Sequence, residues 1–339
     1  MRLVDFPWLE DSVKSIGERL PSSLLLIGVS GLGKGTLARA LAKSMLCSAP
    51  IHLGAACHEC KECLLFESEN HPDFRVITND EVETKGEGVT ATDEKKTKQL
   101  ISVKSVRGLA EFSGTKPHRG YAKVVVINPA ENLNQSASNA LLKILEEPPE
   151  FLHFILVAKN AQSVIPTIRS RCLKHHVLPP SDEVAVNWLK NEAEDRLSSD
   201  ERTTLASRLS SNAPLSTREL LIDEQFFEAR EHIVSALGQR RIDIFSLAAF
   251  CEKLDPEYLR KILYPLIHDL LLLDAEGELY FYTDMSDELM NIKQNVTGVL
   301  LIRWMDDLTD YLKSIHHPLN RRLALEALFL KWAKNYKRL

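Results

Sequence analysis

Four cysteines lie close together in the sequence, at spacings that are typical of a metal site. Cys47, Cys57, Cys60 and Cys63 follow the pattern C-x9-C-x2-C-x2-C. Four thiolates can surround a zinc ion tetrahedrally, and such a closed shell leaves no open position for water. We therefore predict a structural zinc site, with His58 as a competing ligand. Four free or disulfide-bonded cysteines stay open as the alternative.

A second group of residues is suited to holding phosphate. Residues 28–36 read GVSGLGKGT, follow an apolar run and precede a helical pattern. Glycines let backbone N–H groups curl around phosphate oxygens, the start of a helix adds partial positive charge, and the lysine reaches the outer phosphates. The candidate phosphate-binding residues are Gly28, Gly31, Gly33, Lys34 and Thr36.

The groups that would hold magnesium are missing or displaced. A P-loop ATPase places a hydroxyl directly after the lysine, but this chain has Gly35 there, and Thr36 lies about 100° further around the helix. Such an enzyme also needs a carboxylate at the end of a second strand. Asn128 and Pro129 stand at that point, and the first acid is Glu131. We expect no hydrolysis of Mg-ATP by this chain, and two interpretations of the loop stay open: it binds nucleotide, or it only shapes a turn.

Elements that could position these residues are visible in the apolar pattern. Short β-rich apolar runs alternate with helical patterns in the first half, which predicts an α/β layer with a parallel sheet flanked by helices. One predicted strand ends at residue 29, and the others cover 73–77, 123–127, 153–158 and 175–178. Helices are predicted at 36–45 and 136–147. Pro179-Pro180 ends this part. Residues 181–221 read as short helices, and the apolar residues beyond 223 keep helical spacing, which predicts an all-α part.

Composition excludes several classes of protein. The 339 residues include 44% apolar and 26% charged side chains, and 42 basic against 47 acidic residues give a formal charge of −5. No apolar run reaches the ~20 residues that a membrane-spanning helix needs. The mild acidity excludes a protein that coats nucleic acid by bulk charge. The uneven cysteine distribution indicates a reducing compartment, so we expect a cytoplasmic protein.

Three further motifs carry a resemblance to a known family. Residues 136–150 read SASNALLKILEEPPE, residues 167–172 read TIRSRC, and residues 71–74, shortly after the cysteines, read HPDF. Their order, together with the phosphate loop and the cysteine module, resembles that of bacterial clamp-loader subunits of the AAA+ class. Within that class the chain is most similar to the delta-prime family of DNA polymerase III. The resemblance is specific over about residues 1–180 and weaker beyond them.

The resemblance implies a division into three domains. Residues 1–179 would form an AAA+ P-loop module that contains the zinc module at 47–63. Residues 180–221 would form a small helical lid. Residues 222–339 would form a helical collar domain, through which related subunits join into a ring.

The resemblance also implies a role without independent ATPase activity, as a component of the DNA polymerase III holoenzyme. Members of this family lend the arginine of a Ser-Arg-Cys motif to the neighbouring ATPase subunit, and the motif here is Ser170-Arg171-Cys172. The implied partners are the gamma/tau ATPase and delta subunits in a hetero-pentameric ring, the sliding clamp and primed DNA. The implied place of work is the nucleoid, with no membrane association.

Two positions depart from the active members of this family in the same direction. Lys159 stands where those members carry a sensor threonine, and Ser216 stands where a sensor arginine is expected, with Arg218 close by. Together with Gly35 and Asn128, these departures remove several parts of one hydrolytic site.

Three other functions are weighed against this one. An active gamma/tau-like clamp-loader ATPase is disfavoured by Gly35 and Asn128-Pro129. A stand-alone nucleotide-phosphate transferase would need a magnesium site and an arginine-rich lid. A zinc-dependent DNA-binding factor would need a basic domain, which the charge of −5 does not provide.

Direct contacts with DNA and the role of a polar insert are not settled by the sequence. Several basic residues lie close together before the strand predicted at 123–127. A solvated loop is the favoured interpretation of this basic cluster, because isolated Lys and Arg residues on loops are common. The insert at 79–99 reads as an exposed loop. The residues of the basic cluster are Lys104, Arg107, Lys116, His118 and Arg119.

Overall fold

The computed structural model describes residues 3–17, 19–79, 100–120, 122–192, 200–239, 241–315 and 320–335. Apart from Asn79, the insert at 79–99 lies outside these residues. The chain divides into two compact units, Met1–Val184 and Ala185–Leu339. The division into three domains at 179 and 221 stays a prediction.

A five-stranded parallel sheet lies at the centre of the first unit. The strands are β1 (Ser23–Ile27), β2 (Phe74–Ile77), β3 (Lys123–Ile127), β4 (Leu152–Ala158) and β5 (Leu173–His176). Their order in the sheet is β2-β3-β4-β1-β5. Every residue of β1 and β3 is buried, which explains why the central strands read as continuous apolar runs.

The fifth strand begins two residues before the predicted range of 175–178. Leu173 is 56% exposed, because β5 is an edge strand that pairs with β1 alone. Its first residues therefore carry no apolar run that would reveal a strand. The ladder continues past the strand, since the amide of Val177 donates to the carbonyl oxygen of Ile27 at 2.8 Å.

Helices pack on the sheet of the first unit. They are α1 (Glu10–Ile16), α2 (Lys34–Leu46), α3 (Lys61–Glu67), α4 (Val103–Gly114), α5 (Gln135–Glu146) and α6 (Pro166–Arg169). The Asn134 side chain caps α5 by accepting a hydrogen bond from the amide of Ala137 at 2.8 Å. Val106 of α4 and Leu141 of α5 share one buried cluster with Phe154 of the sheet.

Helices and no strands are found among the described residues of the second unit, so the predicted combination of α/β and all-α parts is confirmed. Its helices are α7 (Asp182–Glu192, which begins in the first unit), α8 (Asp200–Leu209), α9 (Pro214–Leu221), α10 (Glu224–Leu237), α11 (Ile244–Lys253), α12 (Pro256–Asp274), α13 (Ser286–Asn295), α14 (Gly298–Ser314) and α15 (Arg321–Asn335). Trp304 and Trp332 meet in its core with ring centroids 4.5 Å apart. Among the described helices of both units, none has the length and apolar character needed to cross a membrane.

Candidate functional site

The phosphate loop connects β1 to α2, and its glycines are required by the backbone. Gly31 and Gly33 have φ angles of +84° and +81°, a region that side chains other than glycine rarely adopt. Gly28 is required for a different reason, because a Cβ atom there would lie 2.7 Å from the carbonyl oxygen of Val177. The loop therefore has the backbone curl of a phosphate-binding loop at the start of a helix.

Lys34 is held inside the loop. The residue is only 7% exposed, and its Nζ donates to the carbonyl oxygen of Val29 at 2.6 Å. Burial lowers the pKa of Lys34 to about 8; the charge of Glu131 opposes the decrease and that of Lys159 adds to it. This ammonium group is thus satisfied by the loop's own backbone.

Gly35 stands where a P-loop ATPase has the hydroxyl that binds magnesium, and the side-chain amide of Asn128 lies close to it. A Cβ atom on Gly35 would lie 3.2 Å from Nδ2 of Asn128, the residue that follows β3. Thr36 lines a cavity of about 1430 Å³ together with residues of α1 and the segment around Gly54. That the hydroxyl of Thr36 does not take the place of the missing one stays a prediction from the rotation of about 100° per residue.

Glu131 is a feature of this site that the sequence showed only as a displaced acid. It lies in a short 3-10 turn, Ala130–Asn132, and its Oε1 accepts a hydrogen bond from the amide of Lys159 at 3.4 Å. Its Oε2 is buried without a hydrogen-bond partner among the described residues. The only sequence signal for this arrangement is its place four residues after the end of β3.

The segment before α1 packs onto the phosphate loop, a contact that the sequence did not reveal. Nε1 of Trp8 donates to the carbonyl oxygen of Leu32 at 2.9 Å, and Leu32 is fully buried. A Cβ atom on Gly33 would lie 3.2 Å from Leu9. The loop is thus fixed from outside by side chains of this N-terminal segment.

The cysteine cluster has the dimensions of a four-thiolate metal site. The four sulfur atoms of Cys47, Cys57, Cys60 and Cys63 all lie within 4.8 Å of one another. Cys47 Sγ is 3.4 Å from Cys57 Sγ and 3.8 Å from Cys60 Sγ, while Cys57 Sγ is 3.9 Å from Cys63 Sγ. A tetrahedron with metal–sulfur bonds of about 2.3 Å has edges of roughly 3.8 Å, so the four sulfurs could hold a metal ion.

Helix ends place these sulfurs, and hydrogen bonds favour the thiolate at two of them. Cys47 ends α2, and Cys60 caps α3 by accepting the amide of Cys63 at 3.4 Å. Burial opposes the ionisation of Cys60, but hydrogen bonds from Ser48 and from the Cys63 amide outweigh it and lower the pKa of Cys60 to about 5. Hydrogen bonds from backbone amides also lower the pKa of Cys57. These shifts favour at Cys57 and Cys60 the thiolate form that metals bind, whereas burial raises the pKa of Cys47 and of Cys63.

His58, the competing ligand considered from the sequence, contacts Lys43 and does not belong to the group of residues that could hold a metal. Its Nδ1 lies 2.7 Å from Nζ of Lys43, and Lys43 also pairs with Glu67 of α3. Lys43 thereby joins α2 to α3, and the group that could hold a metal consists of the four cysteines.

The HPDF segment links the cysteine module to the loop before β3. The Asp73 carboxylate is fully buried and accepts the backbone amides of His118 and Arg119 at 2.8 and 2.9 Å. His71 accepts the amide of Asp73 on Nδ1, and its Nε2 lies 3.2 Å from Oε2 of Glu62 on α3. Arg119 also contacts both carboxylate oxygens of Glu62, at 3.0 and 2.9 Å.

Arg171 lies on the segment between α6 and β5. Its side chain is 35% exposed, with Nη2 on Oε1 of Glu146 at 2.7 Å and Nη1 on the carbonyl oxygen of Thr167 at 3.0 Å. Ser170 donates its hydroxyl to the same carbonyl oxygen at 3.0 Å. Arg169 is engaged with the carbonyl oxygen of Ala161 at 3.1 Å, so Arg171 is the more accessible of the two arginines.

The other basic and sensor positions are dispersed. Lys104 and Arg107 are exposed on α4, and Lys116 and His118 are exposed on the loop that follows it, whereas Arg119 pairs with Glu62. Arg218 of α9 stacks its guanidinium over Trp188 at 5.8 Å from the ring centroid. Ser216 and Arg218 belong to the second unit, and the phosphate loop belongs to the first.

Comparison with known sequences gives matches along most of the chain. Residues 9–181 match the family described as DNA polymerase III, delta subunit, and residues 224–334 match its C-terminal counterpart. The DNA polymerase III subunit delta′ of Pseudomonas aeruginosa is 30% identical over 97% of this chain and 97% of its own length. The corresponding subunit of Bacillus subtilis is 28% identical over 92% of this chain and 91% of its own.

Solved structures show a more distant likeness. A DNA polymerase III gamma subunit-related protein from Thermotoga maritima is 15% identical, with 97% of this chain and 100% of that chain covered and a TM-score of 0.45. The RuvB Holliday junction branch migration motor of the same organism is also 15% identical, with 86% and 87% covered and a TM-score of 0.38. The family assignment therefore depends on the sequence matches.

Proposed function

The chain belongs to the delta-prime family of DNA polymerase III subunits, and from this membership we propose that it is an AAA+ clamp-loader subunit that does not hydrolyse ATP. In this proposal it joins the gamma/tau ATPase and delta subunits in a hetero-pentameric ring. The ring loads the sliding clamp onto primed DNA, in the cytoplasm at the nucleoid. The observation that carries the proposal is that Gly35 has the amide of Asn128, 3.2 Å from where its Cβ would be, at the point where a motor subunit would hold magnesium.

The chain's own phosphate loop is unsuited to catalysis on three counts. The amide of Asn128 is neutral and cannot replace the carboxylate that holds Mg²⁺ in an active P-loop enzyme. Gly35 supplies no hydroxyl, and Thr36 faces a different cavity. Lys34, which would reach the outer phosphates, already donates to the carbonyl oxygen of Val29.

Arg171 is the group through which we propose that the protein takes part in hydrolysis. A guanidinium that reaches a neighbour's γ-phosphate offsets the charge that develops during phosphoryl transfer, an effect of about 10³–10⁵ in rate in other enzymes. Arg171 fits this role because its side chain is partly exposed while its backbone is anchored by the buried neighbour Cys172. Ser170 supports the turn by its bond to Thr167.

We propose that the cysteine cluster binds one structural Zn²⁺ through Cys47, Cys57, Cys60 and Cys63. A full set of four thiolates is the donor set of structural zinc sites and leaves no position for a reacting water. The bound ion would fix the end of α2 to the start of α3, since Cys47 and Cys60 lie at those helix ends.

ATP hydrolysis measured on the purified chain and on the reconstituted clamp loader tests the proposed function. The chain alone should show no turnover above background and should contain about one zinc ion by elemental analysis. Arg171→Ala should leave assembly of the complex intact and reduce its hydrolysis rate.

Arg169→Lys serves as the control for this substitution, because the lysine keeps a cation in the same segment. Arg169 itself donates to the backbone carbonyl of Ala161. It should leave the hydrolysis rate of the complex close to that of the parent. Sustained turnover by the isolated chain, or a complex whose rate is indifferent to Arg171→Ala, would contradict the proposal.

A further inference from the structure

A carboxylate holds the guanidinium of Arg171, and it comes from a different motif of the sequence. Glu146 is the last residue of α5, and its Oε1 accepts a hydrogen bond from Nη2 of Arg171 at 2.7 Å. The two residues are 25 positions apart in the chain. We propose that Glu146 is a positioning residue for Arg171, an inference that rests on the proposed role of Arg171 in trans.

The backbone on both sides of this pair is rigid. Leu145, beside Glu146, and Cys172, beside Arg171, are 4% and 8% exposed and belong to one buried cluster. Ile168, in α6, is fully buried in the same cluster. The two side chains are thus exposed groups mounted on packed backbone, which is the arrangement that gives a site a fixed geometry.

The contacts of Arg171 use only part of its hydrogen-bonding capacity. A guanidinium has five N–H donors. Among the described residues, one donor is used on Thr167 and one on Glu146. Three donors thus have no acceptor among the described residues and can serve phosphate oxygens while Glu146 and Thr167 hold the group.

The physical benefit is preorganisation. An unrestrained arginine loses rotamer freedom when it binds a phosphate, whereas a guanidinium already fixed by two acceptors has lost that freedom beforehand. Stabilisation of a transition state requires a group that is in place when charge develops, so loss of positioning lowers the rate of the chemical step rather than the binding of ATP.

The test uses the full clamp loader reconstituted with the gamma/tau and delta subunits, and measures kcat and KM for ATP. Glu146→Ala should lower kcat by about two- to fivefold with KM unchanged, since an exposed ion pair contributes up to about 1 kcal/mol and 1.36 kcal/mol corresponds to tenfold. Glu146→Gln, which keeps the size and one acceptor oxygen, should show a smaller loss. Glu147→Ala, the adjacent exposed carboxylate, should behave like the parent.

A double substitution separates positioning from a general effect on structure. In a chain that already carries Arg171→Ala, the change Glu146→Ala should have no further effect on kcat, because no guanidinium remains to be positioned. An additive loss in the double variant, or an unchanged or increased kcat in Glu146→Ala alone, would overturn the role of Glu146. If Arg171→Ala itself leaves kcat unchanged, the proposed function fails instead.

Discussion

Gly35 and Asn128 are the two residues on which the proposed loss of hydrolysis at the phosphate loop depends. Gly35 offers no side-chain ligand, and a Cβ atom built on it would lie 3.2 Å from Nδ2 of Asn128. The sequence identified both residues as departures from a working ATPase. It could not show that they face each other, because they lie 93 positions apart and meet only through the packing of α2 against β3.

At the same scale, Lys34 gives a prediction about stability and pH. Burial lowers its pKa from 10.5 to about 8 in the folded chain, so the unfolded chain binds more protons between these values and stability rises with pH across that window. The penalty for burying the ammonium is complete below pH 8. We expect Lys34→Met to raise the free energy of unfolding at pH 7 by about 2 kcal/mol, after allowance for the lost bond to Val29.

Urea unfolding of parent and variant at pH 7 and pH 10 measures this effect. The difference between the two proteins should shrink at pH 10, where less of the penalty remains in the parent. Lys14→Met is the control, since the Lys14 side chain is 73% exposed and pairs with Asp11 at the surface. A difference of the same size at both pH values would show that the ammonium is not the cause.

At the scale of elements, the central strands were the easiest part of the fold to predict. The sequence showed β1, β3 and β4 because burial on both faces selects continuous apolar runs. It placed the edge strand β5 two residues late for the opposite reason. The HPDF segment was visible only as a family motif, since the contacts that explain Asp73 involve a loop 45 residues away.

Gly28 shows how closely the elements around the loop approach each other. Gly28→Ala would place a Cβ atom 2.7 Å from the carbonyl oxygen of Val177, a backbone atom that cannot rotate away. We expect this change to lower the free energy of unfolding by about 2 kcal/mol or more, by analogy with other overpacked sites. Gly108→Ala on α4 meets no atom within 4 Å and should raise stability by about 0.5–1 kcal/mol. Thermal denaturation of both variants would decide, and equal melting temperatures would contradict the close approach.

The Asp73 carboxylate joins the HPDF segment to the loop before β3, and its loss should be costly. Asp73→Ala leaves the amides of His118 and Arg119 without their acceptor in a buried place, so we expect destabilisation by about 2–4 kcal/mol. Hydrogen exchange should show faster exchange at those two amides. Asp11→Ala, which removes a carboxylate that is 90% exposed, should change stability by less than about 0.5 kcal/mol. If both substitutions have equally small effects, the HPDF segment does not anchor the loop.

At the scale of the whole molecule, each compact unit has a core of its own. The cluster with Phe154 and Leu141 lies in the first unit, and the cluster with Trp304 and Leu270 lies in the second. The proposed metal site, the phosphate loop and Arg171 all belong to the first unit. Loss of the metal should therefore act on one unit and leave the core of the other intact.

Removal of the metal by a chelator should test this separation by hydrogen exchange. We expect faster exchange in α3, where Cys60 and Cys63 anchor the first turn, because metal binding and local folding are coupled. The effect should extend through Glu62, which accepts from Nε of Arg119, to the amide of Arg119, which donates to Asp73. Amides of α12 and α14 should keep their protection.

Two cysteine variants test whether loss of the metal causes this faster exchange. Cys57→Ser removes one of the four proposed ligands and should reproduce the effect of the chelator, together with a loss of bound zinc by elemental analysis. Cys172→Ala removes a buried thiol outside the cluster, whose pKa burial raises to about 11, and should keep its zinc. If α12 and α14 lost protection together with α3, the two units would unfold as one, and a metal site in the first unit would then stabilise the entire chain.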